Sequence, residues 1–446
     1  MSAEHRASPL ARPGAHCFAV PRNSTGAPPG LPRIPGTPLS ASEAPAQAGY
    51  RDLFRTPEFT PLFLAGSAQT AAQTVAGLGL ATLVFRATGS PLLSALAMFG
   101  PSLAQLLGAT TLLSAADRLP PRTALTVVAA VFAAGTGLQA VPGLPLGAAF
   151  ALLAVLGVVG SLGGGVRYGL LGEILPRERY LLGRSVLNMA AGVCQIAGFA
   201  TGGVLLAVLS ARGTLLAGAG LYLLAGLLYR WGLTARPPRA GGRISAARTW
   251  RTNVRLLADR PRRLLYLALW VPNGLIVGCE ALFVAYDPDR AGLLFACAAA
   301  GMLAGDTVLG RFVPARLRGR LGAPLQALLA APYLLFALGT GLPAVAAGAA
   351  VAVSAVGYGA SLLYQERLLA LVPDESSGHA LGLHGSGMLA CQGLAAALAG
   401  GLAQLTSPAT AMALLAVASL AVTAALTAGL SSAAPPSPRT ARRRTA

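Results

Sequence analysis

The sequence contains no lysine: all 34 of its basic Lys and Arg positions are arginine. A G-x-x-x-x-G-K-[ST] phosphate loop, a Schiff-base cofactor site and a retinal pocket each need the lysine ammonium group. The chain alone is therefore not expected to be an ATP-driven pump. Charge of any kind is scarce, with 11% of the 446 residues charged and 54% hydrophobic, whereas about a quarter of an average soluble domain is charged. This balance predicts a membrane-embedded chain. The five cysteines, Cys17, Cys194, Cys279, Cys297 and Cys391, show no C-x-x-C spacing, and four of them fall in apolar runs. They read as small packing residues, so neither a disulfide framework nor a metal centre is expected. Acidic residues number 15, leaving a formal charge of +19. The arginines are interspersed between apolar runs, not gathered on one soluble face, which argues against nucleic acid as a partner. The N-terminus lacks a basic segment followed at once by an apolar one, so no cleaved signal peptide is expected.

What the sequence has in abundance is long apolar runs. Residues 1–50, rich in Pro, Ser, Ala and Gly without apolar periodicity, read as a disordered tail. From Phe59 onward, runs of about 20 residues recur, each long enough at ~1.5 Å per residue to cross a hydrocarbon layer of roughly 30 Å. Twelve spans are predicted, near 59–85, 91–115, 122–141, 146–170, 182–209, 213–233, 264–286, 291–312, 321–339, 343–366, 379–405 and 408–429. The tails and the loops after even-numbered spans, with the span ends beside them, hold 31 of the 34 arginines; Arg86, Arg212 and Arg290 fall on the other side. Loops retained in the cytoplasm are enriched in arginine, so both termini are expected there, and the plasma membrane is the expected location. The loop at 234–263 carries nine arginines and divides the bundle into six spans at 51–233 and six at 264–430, with a basic tail at 431–446. The fold expectation is an all-α membrane protein of twelve transmembrane helices in two pseudo-symmetric six-helix bundles.

One short pattern recurs. "AGVCQIAG" at 191–198 and "GMLACQGLA" at 387–395 place Cys194-Gln195 and Cys391-Gln392 at an offset of 197. The same ungapped offset carries Pro176-Arg177-Glu178 onto Pro373-Asp374-Glu375 and Gly108 onto Gly305. Three matches at corresponding places in each half point to an internal duplication, the construction of a transporter whose halves rock about a shared site.

Local motifs carry a family resemblance over residues 51–430. After span 2, "LLSAADRLPPRTAL" resembles the G-x-x-x-D-R-x-G-R-R signature of the major facilitator superfamily through Asp117, Arg118 and Arg122, with Leu113 and Pro120 replacing glycines. "GDTVLGRFVPARLRGRL" supplies Asp306 and Arg311 at the matching junction of the second half. "GFATGG", Gly198 to Gly203, resembles the G-P-x-x-G-G core of the antiporter motif with Phe199 in place of proline. "RYGLLGEILPRERYLLGRSVLN" and "YQERLLALVPDESSGHALGL" resemble the junctions of the exporter branch that contains macrolide and enterobactin efflux proteins. The resemblance implies alternating access, and inter-helix salt bridges through Asp117, Arg118, Arg122, Asp306 and Arg311 that set the balance between two states.

Polar residues inside spans each have two readings, since an intramembrane polar group either pairs with a neighbouring helix or lines a cavity. In span 1, Gln69 and Gln73 lie four apart on one face. In span 5, Asn188 and Gln195 are seven apart with Gly202, and in span 11, His384, Met388 and Gln392 are spaced by four. In span 7, Trp270, Asn273 and Glu280 fall on one stripe, with Pro272 and Gly274 able to loosen the helix. Glu280 is the one carboxylate far from the arginine-rich ends and from the opposite loops, and an intramembrane acid can bind and release a proton. It is the expected proton-coupling residue; a solvated place at a cavity mouth is the other reading. Arg167 in span 4 is the second proton-coupling candidate: the family resemblance implies that it pairs with an acid across the bundle, and an arginine snorkelling to the cytoplasmic surface is the other reading. His379 is expected in a solvated loop.

These readings converge on a secondary active transporter, a monomer, that exports a small amphipathic molecule in exchange for protons. A facilitator or importer of a metabolite fits the same fold. A membrane-embedded enzyme lacks the His and acid clusters such chemistry recruits, and a sensor lacks an appended soluble domain.

Overall fold

The computed structural model describes residues 50–116, 119–238, 246–338, 342–373 and 377–433. Among these the chain is helical, and eleven helices are long and apolar enough to cross a membrane; with Pro91–Ala116 they make the twelve expected. The first half comprises α1 (Phe59–Thr88), α2 (Pro91–Ala116), α3 (Pro121–Gln139), α4 (Leu146–Ile174), α5 (Arg177–Leu209) and α6 (Ala211–Gly232). The second comprises α7 (Arg260–Glu280, with a further turn at Phe283–Tyr286), α8 (Ala291–Arg311), α9 (Ala315–Ala330, continued by a 3₁₀ stretch at Ala331–Leu338), α10 (Ala344–Val356 and Ala360–Ala370), α11 (Ser377–Leu405) and α12 (Pro408–Ala433). A helix at Ala246–Ala258 occupies the linker, and α7 starts at Arg260, a few residues before the predicted span. Lipid offers no hydrogen bonds to a backbone, so apolar runs of this length must satisfy their own amides as helices.

The connections are short. Gly89, at φ 63°, ends α1 in the left-handed conformation that glycine adopts without strain, and its N–H caps the carbonyl of Phe85. Ser210 alone joins α5 to α6 at φ 89°, a backbone that disfavours a side chain. Its hydroxyl accepts the N–H of Gly213 at 3.4 Å.

Packing repeats between the halves. In the first, α1 packs on α5 and α6, and α2 on α4; in the second, α7 packs on α11 and α12, and α8 on α10. Between the halves, α2 meets α11 and α5 meets α8, which are the same pairing read from each side. The 197-residue offset is visible in these contacts. A side chain at Gly108 of α2 would meet the carbonyl of Val158 on α4, 2.7 Å away, and one at Gly305 of α8 would strike the carbonyl of Val356 on α10. Both glycines permit a close helix crossing that any larger residue would push apart.

The linker helix is held to the second half. Its Leu256 packs with Leu265 and Leu368 in one apolar cluster, and Asn253 Oδ1 lies 2.7 Å from His379 Nε2. His379 is thus on α11 and not in a solvated loop: α11 begins at Ser377, and Asn253 fixes the ring. Val208, Trp231 and Val345 are exposed on the bundle, as expected of side chains that meet acyl chains in place of water.

Candidate functional site

A cavity of about 380 Å³ lies between the halves, and helical spacing explains what reaches it. On α1, Thr70, Gln73, Thr74 and Gly77 line it, an i, i+3, i+4, i+7 stripe that falls on one face. On α7 the spacing of Asn273, Val277 and Glu280 does the same. Met98, Phe99 and Ser102 of α2, Gln195 and Phe199 of α5, Phe295 and Met302 of α8, Tyr358 of α10 and Gln392 of α11 close the wall.

Polar side chains reach the cavity from both halves, Thr70, Gln73, Thr74, Ser102 and Gln195 from the first and Asn273, Glu280, Tyr358 and Gln392 from the second, and those of the second are hydrogen-bonded in pairs. The Tyr358 hydroxyl donates to Glu280 Oε1 at 2.9 Å, and the Gln392 amide donates to Asn273 Oδ1 at 3.1 Å. Two departures from regular helix place the first pair. α7 ends at Glu280 before its short final turn, and α10 is interrupted by a 3₁₀ turn at Gly357–Gly359 that carries Tyr358. Gly357 lies so close to α9 that an added side chain would stand 2.5 Å from the Leu329 amide nitrogen. Only glycine fits there, and a mid-helix 3₁₀ turn is a common mark of a functional site. The Phe199 and Phe295 rings, one from each half, stack with centroids 4.6 Å apart.

The structure divides the sequence candidates. Gln73, Gln195, Asn273, Glu280 and Gln392 line the cavity; Gln69, Asn188, Trp270 and His384 are not on that wall. Gln69 Oε1 instead accepts the Tyr229 hydroxyl of α6 at 3.1 Å. Asn188 Oδ1 accepts the Tyr168 hydroxyl of α4 at 3.0 Å. Trp270 Nε1 donates to the His384 carbonyl at 3.1 Å, and the His384 Nδ1 is buried without a partner. Arg167 stands over the Tyr168 ring at 5.3 Å and packs beside Gly66; it is in none of the described ion pairs, and its Nε is buried without a hydrogen bond. Arg122 is half-buried at the start of α3, while Asp306 and Arg311 are exposed near the end of α8. None of these three takes part in a described ion pair, and Asp117 and Arg118 lie outside the described residues.

The halves meet closely at the arginine-poor end. Arg86 stands 3.8 Å from Asp289, Gln404 hydrogen-bonds Ser90, and Gly203 of α5 crosses Gly292 of α8 so tightly that a side chain at Gly292 would lie 2.5 Å from the Gly203 Cα. At the arginine-rich end, Glu58 beside α1 takes a two-pronged contact from Arg236, at 2.6 and 2.9 Å, and the Thr234 hydroxyl at 2.8 Å. Burial works to raise the Glu58 carboxyl, but the hydrogen bonds from Arg236 and Thr234 and the guanidinium charge outweigh it, holding it below the usual carboxylate value. Sequence reading missed this clasp, because it joins residues 178 apart in sequence. It also missed Tyr358, Thr70 and Thr74, the last two of which were legible from the α1 stripe. Among the described residues no group of three or more His, Cys, Asp or Glu is placed to hold a metal ion.

Comparison with known proteins fits this architecture. Residues 62–366 match the sequence model of the Major Facilitator Superfamily. The fold is similar to a POT family transporter in complex with 5-aminolevulinic acid (TM-score 0.66, 11% identity, 86% of this chain and 97% of that one). It is also similar to a peptide transporter POT in complex with sulfate (0.66, 13%, 86% and 95%). A bacterial homolog of the human lysosomal transporter Spinster, in an inward-facing and unoccupied conformation, is similar too (0.61, 16%, 85% and 96%). No curated protein matches by sequence. A multi-pass helical bundle with a central cavity between two related halves defines a membrane transporter. The chain belongs to the Major Facilitator Superfamily.

Proposed function

We propose that the chain is a proton-coupled exporter of small amphipathic molecules that works by alternating access in the plasma membrane, with both termini in the cytoplasm. The observation that carries this reading is Glu280, a carboxylate in the cavity wall hydrogen-bonded to Tyr358. An acid held between helices can carry a proton in one state and release it in the other. The remaining wall, apolar and aromatic with four amides at Gln73, Gln195, Asn273 and Gln392 and hydroxyls at Thr70, Thr74 and Ser102, suits a molecule with an apolar body and a few polar groups.

With the arginine-rich end in the cytoplasm, the Gly203–Gly292 crossing and the Arg86–Asp289 pair close the outer end. Release to the outside then requires these contacts to part while the inner ends of the halves approach. Everted vesicles with an imposed pH gradient test the proposal. Gradient-driven accumulation of an amphipathic dye that falls at least tenfold in Glu280→Gln is expected; accumulation indifferent to the gradient or to the substitution would sink proton coupling. The direction of net flux in the same vesicles separates export from import.

A further inference from the structure

We infer that the cavity selects a lipophilic monocation, an inference that rests on the transport reading and names its substrate class. The chain carries a formal charge of +19, yet among the described lining residues there is no arginine or histidine and Glu280 is the one carboxylate. Arg167, the arginine deepest in the spans of the first half, is not among the lining residues and packs beside Gly66 and Tyr168. The cavity therefore reverses the sign of the protein around it.

Glu280 is arranged to receive a charge. Its Oε1 accepts from Tyr358, while Oε2 has no hydrogen-bond donor among the described residues and is not among the buried atoms left unpartnered, so it faces the open cavity. A cation placed there meets an unsatisfied carboxylate oxygen, whereas an anion would face that carboxylate with no described basic side chain to offset it. The aromatic wall has the same preference. Phe99, Phe199 and Phe295 line the cavity, and ring faces attract cations as well as apolar groups. A volume of about 380 Å³ accepts an organic ion and not merely a hydrated metal.

One carboxylate oxygen cannot hold a proton and the organic cation together. The other ionisable groups around Glu280 are Tyr358, Tyr333 and Cys279, and none offers a second carboxylate. Exchange of one cation for one proton moves no net charge, so transport should respond to a pH gradient and ignore a membrane potential.

Two probes of nearly identical shape and opposite charge decide the matter. Tetraphenylphosphonium and tetraphenylborate are titrated against the purified full chain in nanodiscs of zwitterionic lipid. Saturable binding of the phosphonium, with the borate at least tenfold weaker, is expected, as is a further tenfold loss of phosphonium binding in Glu280→Gln that Glu280→Asp largely restores. Equal binding of both ions, or phosphonium binding unchanged in Glu280→Gln, would overturn the inference. If Glu280→Gln fails to fold, the comparison of the two ions on the unaltered chain still decides. Vesicle assays separate this inference from the reading beneath it. A neutral dye driven by the pH gradient while phosphonium neither moves nor competes overturns the cation preference and leaves transport standing. Phosphonium binding without gradient-driven movement of any probe overturns the coupling and leaves the preference.

Discussion

The Tyr358 hydroxyl donates to Glu280 Oε1 across 2.9 Å, joining α10 to α7 in the wall of the cavity. Tyr358 sits on the 3₁₀ turn that interrupts α10, and Glu280 is the last residue of α7 before its short final turn. Each partner is therefore at a point where regular helix stops, so the contact can change as the helices move without disrupting a hydrogen-bond ladder.

Tyr358→Phe should lower gradient-driven transport about tenfold, since a hydrogen bond to a charged group contributes roughly 1.5–3 kcal/mol. Expression and the unfolding midpoint should remain near those of the unaltered chain, because the ring is retained. The measurement is dye flux against external pH in reconstituted vesicles. A profile that coincides with the unaltered protein in both height and position would remove Tyr358 from the mechanism.

Gly292→Val should hold the arginine-poor end open. The Gly203–Gly292 crossing brings backbone to within contact distance, and backbone cannot swing aside as a flexible side chain does. Closing that end with valine in place would cost a few kcal/mol of overpacking, enough to move a two-state equilibrium by more than tenfold. Labelling of a cysteine introduced at Gln73 by a membrane-impermeant thiol reagent from the arginine-poor side should accelerate at least tenfold. Unchanged labelling would show that this crossing does not close the path.

The spans were readable from sequence because lipid allows an apolar run of this length little choice but helix, and the 197-residue echo was readable because both copies kept Cys-Gln and a crossing glycine. Facing was harder. Gln69 and Gln73 share a helical stripe, yet only Gln73 reaches the cavity, because the Tyr229 hydroxyl of α6 draws the Gln69 amide away. The same holds for Asn188, which is satisfied by Tyr168, and for Trp270, which is committed to the His384 carbonyl. Helical periodicity fixes which residues share a face, but not which neighbour that face meets. Tyr358 was invisible for a different reason: its position depends on the close approach of Gly357 to Leu329, a tertiary contact between helices.

The duplicated glutamines should separate in their effects. Both line the cavity, but Gln392 also donates to Asn273, whereas no described hydrogen bond involves Gln195. Gln195→Ala is expected to raise KM about fivefold with little change in stability. Gln392→Ala should do the same and in addition lose about 0.6–1 kcal/mol, the size of an interhelical hydrogen bond in a membrane. Dye KM and thermal unfolding in one detergent check both, with Gln69→Ala as the comparison expected to leave KM unchanged. A KM shift in Gln69→Ala as large as in Gln195→Ala would show that the cavity extends further along α1 than the wall described.

The Glu58–Arg236 clasp should make the first half sensitive to acid. Arg236 contacts Glu58 at 2.6 Å and stands 3.8 Å from Glu173, so it ties the start of the linker to α1 and α4. The Glu58 carboxyl lies below its ordinary value of 4.5 in the folded chain. A group whose folded value is depressed contributes its stability in full above the unfolded value and loses it as pH falls through the folded one. The clasp is therefore complete at neutral pH, begins to weaken below about 4.5 and disappears once Glu58 is protonated. At pH 7, Arg236→Ala should destabilise the chain by about 1–2 kcal/mol, since it strands a half-buried carboxylate. Glu58→Gln should cost less, because the glutamine amide still accepts from Arg236. Thermal unfolding at pH 7 and at pH 3.5 supplies the check: the gap between the unaltered chain and Arg236→Ala should shrink at the lower pH, and a gap that stays constant would show that Arg236 stabilises the linker through packing and not through the Glu58 charge.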